Sequence, residues 1–544
     1  MLQPNSDLSA AGSAYSHIGK PNMVGEYIQT VTVPNGKADA YNKCGVAYCE
    51  KGEYDRGITQ FNNAITLVPE FTNAYYNRGI TYARKGDFDN AIKDFNKAIQ
   101  LKSDYANAYK GRGFAYASKD DFDNAIENFD KAIQLNPNDA KAYYHRGTAY
   151  LNKGVYNQAI KDFSRAIDLN LEHIVLAYRG RGLAYYAEDR FYRAVDDLSE
   201  AINLTPDDPL VYYSRGMAYR NLLVFEKSIQ DFSTVIRLKP DAAADAYTER
   251  GVTFYNKGDV DKAIEDYNAA IALDPAFAQA YTARGQTYCE KGEVDKAIDD
   301  YNKAIQLKPK FAEPYTYRGL IYNQQGEVNK AIEDHSKAIT RNPEFAEAYV
   351  NRGQAYYDKN ELDKAIDDYN KAIEINSELV EAYRQRGNAY RAKAELDSAI
   401  ADYTEALKLR PKIAEFYYTR GEAWLLAKGW ENAKTDLTAA LLQDVDVAAA
   451  FHNAHGSIAA FEEKIGVGLP KEIVTLLTPR SEPFEIDKEA RIALGMKYYG
   501  NDELSSGLAA RLAGVPREEF WYLMGDYGLS LLTLDEEELV NSGP

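Results

Sequence analysis

YNRGITYARKGDFDNAIKDFNKAI occupies residues 76–99, and close copies return at 144–167 (YHRGTAYLNKGVYNQAIKDFSRAI), 281–305 and 350–373. With the glycine of each copy as anchor, twelve anchors run from Gly45, Gly79 and Gly113 to Gly421, 34 residues apart with two steps of 35. A tyrosine stands four residues before every anchor, Tyr41 to Tyr417, and an aromatic three after it. Twelve residues after the anchor comes a small residue, sixteen after a Phe, Tyr or Leu (His335 in one copy), and nineteen after an Ala in all but Val235. Offsets −4, 0 and +3 share one face of a helix, and +12, +16 and +19 share one face of a second. Lys-Gly or Lys-Asp near +6 and +7 breaks the chain between them, and a proline at +24, present in eight copies, stops the second helix. Each copy is therefore predicted to be a helix-turn-helix hairpin.

A glycine inside a helix costs about 1 kcal/mol relative to alanine, so twelve cost roughly as much as an ordinary domain's whole stability. Such a loss persists where the missing side chain permits something, here close approach of two helices at the glycine and the +12 and +19 alanines. The pattern resembles the tetratricopeptide repeat, whose period and Gly, Tyr, Ala, Phe, Ala and Pro positions match over residues 38–447. The resemblance implies an all-α fold: a right-handed superhelical solenoid of helix-turn-helix repeats with a concave groove built mainly from first helices. Where that family usually has leucine just before the glycine, eleven copies here have arginine, Arg78 to Arg420. At +15 ten copies carry Asp, from Asp94 to Asp436, whereas copy 1 has Cys44 and Gln60 and copy 3 sets Arg112 opposite Asn128. The register predicts a ladder of Arg–Asp pairs tying first helix to second.

The chain has 544 residues, too many for one compact core, and a net charge of −18 from 82 acidic and 64 basic residues. That balance argues against a polyanion-binding surface over the whole molecule. The beginning shows no basic start followed by an apolar core, and no run of apolar residues is long enough to span a bilayer. Cys44, Cys49 and Cys289 make neither an even disulfide framework nor a metal-ligand set, which suits a reducing cytoplasm. No nucleophile elbow, phosphate-cradling loop or HExxH is present, so no enzyme and no cofactor is expected. His452 and His455 have a spacing that can hold metal, but without further ligands they are expected to be plain surface residues.

In the resembling family the two residues after the −4 tyrosine line the groove. Here they include Tyr76, Asn77, Lys110, Tyr144, His145, Arg179 and Tyr213, a more aromatic and basic set in the first half, which points to an acidic or aromatic ligand. A protein or peptide partner in the groove is the leading expectation.

Residues 1–37 are expected to be a lead-in, with Gly12, Tyr15, Gly19 and Pro34 echoing a decayed capping copy. Residues 448–464 are expected to form a capping helix. Residues 465–544 differ in kind: a short strand at 465–469 mated by 528–534 or by another subunit, a helix opened by Pro470, and LSSGLAARLAGVPREEFWYLMGDYGLSLLTL. Ala509, Ala510, Ala513, Gly514, Val515, Phe520 and Leu523 fit a helix-turn-helix. This segment is similar to uncharacterised protein family 0175, whose members look like antitoxins, and the resemblance implies a small, mainly α domain with one or two short strands. Such a domain would bind DNA through 506–525, a toxin, or a second copy as a dimer, with Arg517, Glu518, Trp521 and Tyr522 as contact residues. Acidic residues outnumber basic ones there two to one, which weakens attraction to phosphate. Two functions follow: a non-enzymatic interaction scaffold, or an antitoxin-type or transcriptional regulator.

Overall fold

A computed structural model of the protein describes residues 34–443 and 445–479, together with Ile492, Met496, Ala509, Ala513 and Val515. The described residues form 27 α-helices and one short 3₁₀ turn at Pro240–Ala242, with no strand among them. The chain divides at Pro275 into two compact units.

The first unit holds seven hairpins. First helices such as Pro34–Glu50, Thr72–Arg84, Ala140–Lys153 and Pro209–Asn221 alternate with second helices such as Tyr54–Leu67, Phe88–Leu101, Tyr156–Asp168 and Phe225–Leu238. Pro34 opens a helix rather than closing a decayed copy; the remainder of the expected lead-in, with Gly12, Tyr15 and Gly19, lies outside the described residues. The second unit holds five hairpins, from Ala278–Glu290 and Val294–Leu307 to Ala414–Leu426 and Trp430–Leu441. Three short helices follow: Val447–His455, Ile458–Ile465 and Lys471–Leu477.

Within each hairpin the anchor glycine faces the +16 side chain, a ring in ten copies and Leu198 or Leu437 in the other two. A Cβ on Gly79 would lie 2.9 Å from Phe95, and one on Gly353 would lie 2.6 Å from Tyr369. The +12 and +19 alanines, Ala91 and Ala98 or Ala365 and Ala372, are fully buried in the same seam. The turn between the helices places the +7 residue in left-handed backbone in all twelve copies. Six are Gly; the others are Asp120, Asp189, Leu223, Asn360, Ala394 and Lys428. After the second helix, residues preceding a late proline, such as Val68 and Asp274, are extended, as the ring behind them requires.

The predicted ladder is present. In ten copies, Arg78–Asp94 through Arg420–Asp436, Nε and Nη2 of the arginine donate to the two carboxylate oxygens at 2.6–2.9 Å. Arg112 donates to Asn128 at 2.6 Å. The remaining Nη1 reaches the +17 side chain of the preceding copy's second helix, as from Arg146 to Asp130 (2.5 Å), Arg215 to Ser199 (3.0 Å) and Arg420 to Thr404 (2.9 Å). Each guanidinium also lies over the −4 tyrosine of its own helix, 5.3–5.9 Å from the ring centre in copies 2 to 11. One arginine therefore ties three helices together, and the planar five-donor fork is what makes this possible.

The C-terminal part of the second unit corrects two expectations. The single capping helix is broken at Gly456-Ser457, where Ser457 caps the next helix by accepting from the Ala460 N–H. The strand expected at 465–469 is absent: Ile465 ends a helix, Gly466 turns left-handed behind it, and the Leu469 N–H donates to Glu462. Its proposed mate at 528–534 lies outside the described residues. Phe451, Phe461, Leu469, Ile473, Leu477, Ile492, Met496, Ala509, Ala513 and Val515 share one apolar cluster with Leu437 and Leu425 of the last hairpin.

Candidate functional site

First helices of successive copies stand side by side, and their −3, −2, +1, +4 and +5 side chains meet. Asn77 donates to Asn42 at 3.0 Å and Asn221 to the Tyr186 hydroxyl at 2.9 Å in the first unit; Asn323 donates to Asp358 at 2.8 Å in the second. These side chains form a strip along the first helices of each unit, and the predicted groove residues lie in it.

Tyr76, Asn77, Lys110, Tyr144, His145, Arg179 and Tyr213 are all half-buried. Tyr76 packs on Phe95 and Tyr105, with ring centres 6.0 and 5.0 Å away. Burial, then the Asp139 carboxylate, pushes its hydroxyl up to about 12. Lys110 donates to the same Asp139 at 2.5 Å, and Asp139 also accepts from the Ala142 N–H as a helix cap. Arg179 repeats the arrangement with Asp208, 3.2 Å away, which caps the next helix at Leu210. Arg220 pairs with Glu249. Tyr144 lies against Phe163, and His145 stacks on Phe129 with centres 5.9 Å apart. Tyr213 meets Phe232 edge-on at 5.6 Å, and burial followed by Glu249 raises its hydroxyl above the ordinary phenol range.

The structure thus brings Tyr76 and Lys110 together around Asp139 and sets Tyr144 beside His145. The basic character expected of this half is neutralised locally. Asp139 and Asp208 were missed because each belongs to the next copy; the Asp-Ala and Asp-Pro pairs at helix starts are the signal that points to them. Gly111 and Gly180, the neighbours of Lys110 and Arg179, are also explained: a Cβ there would meet Phe95 or Phe163 at 2.7 and 2.6 Å.

The second unit carries a buried polar cluster that sequence reading did not anticipate. Glu422 accepts from Arg391, and it meets His455 Nε2 at 2.7 Å. Burial pushes the Glu422 carboxyl up, but His455 and Arg391 together hold it below the usual range. His455 is not the expected surface residue: its ring packs on Phe451 and Phe461, with centres 4.9 and 4.7 Å away. His452 turns its Nδ1 to the Ala448 carbonyl instead. No group of three or more His, Cys, Asp or Glu stands together among the described residues. No described helix is long and apolar enough to cross a membrane. Arg517, Glu518, Trp521 and Tyr522 lie outside the described residues.

Comparison with known proteins agrees with this geometry. A family model described as TPR repeat matches 45–86, 113–154, 182–222 and a continuous series of overlapping segments from 251 to 426, together more than half of the chain. A second, Tetratricopeptide repeat, matches 72–105 and 140–173. The segment 462–542 matches Uncharacterised protein family (UPF0175). No curated protein matches. Among solved structures, yeast Tom70 is 19% identical over 78% of this chain and 96% of that one, with a TM-score of 0.40. A tetratricopeptide repeat protein from Parabacteroides merdae is 18% identical over 46% and 98%, TM-score 0.36. YrrB, a TPR protein with an unusual peptide-binding site, is 27% identical over 35% and 97%, TM-score 0.32. With its twelve in-phase hairpins and a family model that matches more than half of its length, the chain belongs to the tetratricopeptide repeat family.

Proposed function

We propose that the protein is a non-enzymatic interaction scaffold that holds a peptide or protein partner along the first-helix strip of its repeats. One observation carries the reading. Strip side chains such as Tyr76, Tyr144 and Tyr213 are half-buried and packed on the second-helix rings Phe95, Phe163 and Phe232, so a lining exists before any partner arrives. Tyrosine offers contact area at little cost in rotamer freedom. A photo-crosslinking residue placed in the full chain at Tyr213, and in a second protein at Glu127 on a second helix, tests this in cells. Crosslinks to a defined partner at 213 and not at 127 are expected. Equal labelling at both positions, or none at 213, overturns the reading.

A second reading rests on the match at 462–542. There the C-terminal segment works as an antitoxin-type or transcriptional module, and the repeats recruit a partner to it. A gel shift of the full chain on genomic fragments at low salt decides: a sequence-specific shift favours the regulator, and no shift leaves the scaffold.

A further inference from the structure

The first-helix strip changes charge between the two units. In the first, the cations Lys110, Arg179 and Arg220 each meet a carboxylate. In copies 9 to 11 of the second, carboxylates dominate. Asp358 lies at a strip position, Glu313 and Glu347 stand at −6, one helical turn before the strip residues Thr316 and Val350, and the only strip cations of these copies, Arg384 and Arg391, are already engaged by Glu381 and Glu422. Glu347 and Asp358 are exposed and Glu313 half-exposed. No ion pair reaches Glu313, Glu347 or Asp358 among the described residues; Asp358 accepts only from the neutral amides of Asn323 and Gln354. Carboxylates with no counter-charge give this stretch a negative potential that favours the approach of a cation.

A second, independent feature points to a ligand in the same place. The Tyr369 hydroxyl is fully buried and has no hydrogen-bond partner. One copy later the equivalent Tyr403 hydroxyl donates to Asn388, a strip residue at +1, at 2.8 Å. Tyr369 aims at the same row, but its +1 neighbour Gln354 gives its amide to Asp358 instead. Burial raises both the Tyr369 and Tyr317 hydroxyls, with the Asp358 and Glu381 charges adding to the first and the Glu313 and Glu347 charges to the second. The Thr316 hydroxyl, almost fully buried at −3, also lacks a partner. Buried polar atoms without partners are uncommon, and each asks for an explanation. Leu320, exposed at the +1 position of copy 9, offers an apolar surface for an aliphatic stem.

We propose that the strip of copies 9 to 11 receives the lysine or arginine side chains of a basic peptide, between Glu313, Glu347 and Asp358 and against Tyr317, Leu320 and the Tyr369 hydroxyl. This rests on the scaffold reading and names the ligand chemistry for one half of it. The charge excludes nucleic acid and acidic peptides from this stretch, and a simple metal ion lacks a ligand cluster there.

The test uses the full chain and fluorescence anisotropy with the labelled peptides GKRGKRGKRG, GEEGEEGEEG and GSSGSSGSSG. The basic peptide is expected to bind and the others not. The triple variant E313Q/E347Q/D358N should weaken binding at least tenfold while its melting temperature stays near that of the parent. The control D299N/D367N/D397N loses the same charge from exposed second-helix positions and should bind within twofold of the parent. Equal weakening in both variants, or no preference for the basic peptide, overturns the inference. The outcomes separate from those of the scaffold: crosslinks at Tyr213 without basic-peptide binding sink this inference alone, whereas no crosslinks at Tyr213 sink the parent reading.

Discussion

Gly353 has no side chain, and the Tyr369 ring uses the space. Alanine is the better helix former by about 1 kcal/mol, yet its methyl would stand 2.6 Å from a fully buried ring carbon. Overpacking of that kind costs about 1–3 kcal/mol. Gly353→Ala is therefore expected to lower the urea midpoint, against its helix propensity. His335 presents the converse case. It fills the slot that holds Phe, Tyr or Leu in the other copies, and neither ring nitrogen has a partner. Burial, helped by the Arg352 charge, lowers its pKa from 6.5 to about 3. Between those values the unfolded chain binds a proton that the folded chain refuses, so this residue's contribution is intact above the ordinary imidazole value and is lost as pH falls through the window. At pH 5 the loss is about 2 kcal/mol. His335→Phe should raise the melting temperature at pH 7 and shrink the difference between pH 7 and pH 5; an unchanged pH dependence would show that His335 is not the titrating group.

At the scale of the element, the turn and the ladder make separate demands. The turn requires left-handed backbone at +7, and Leu223 meets it with φ near 59° while leaving most of its side chain in water. Left-handed backbone costs a side-chain-bearing residue about 1–2 kcal/mol. Leu223→Gly should thus stabilise by about 1 kcal/mol, read from chemical unfolding, since little packing is lost. The ladder behaves differently. Asp231 is buried, and burial lifts its carboxyl above the ordinary value by more than the Arg215 guanidinium pulls it down. The pair is thus held by geometry against a desolvation cost. Arg215→Leu alone leaves a buried carboxylate uncompensated and should cost about 3 kcal/mol, whereas Arg215→Leu with Asp231→Leu should recover most of it. A double-mutant cycle measures the coupling.

At the scale of the molecule, contacts within each unit run between neighbouring hairpins, so damage should stay local. Arg215→Leu is expected to speed amide hydrogen exchange in copies 5 to 7, residues 174–273, and to leave 346–441 unchanged. Uniform acceleration across both regions would show cooperativity that a chain of neighbour contacts does not supply. The C-terminal helices sit otherwise: Leu469, Ile473 and Leu477 share a core with Leu425 and Leu437, so the last hairpin and the segment beyond it are one packed body.

The hairpins, their glycine-to-ring seam and the Arg–Asp rungs were legible in the amino acids. Each is a local constraint repeated at one period, so twelve copies report it in phase. Tyr76, Lys110, Arg179 and Tyr213 fall on first helices, as the period places them, but the partners of the two cations were not legible, because Lys110 and Arg179 are matched by Asp139 and Asp208 from the next copy rather than by anything at a repeating offset. The strand at 465–469 failed for a related reason: alternating apolar and glycine residues suit a strand only when a mate exists, and here Glu462 and a left-handed Gly466 turn the chain instead. By itself, then, the sequence determined the period, the two-helix unit and the register of its internal contacts, since these depend on spacing along one short stretch. Only the tertiary structure decided which charges cancel, where His455 is buried, and where hydroxyls and carboxylates are left facing outward, because those outcomes depend on neighbours that distance along the chain does not specify.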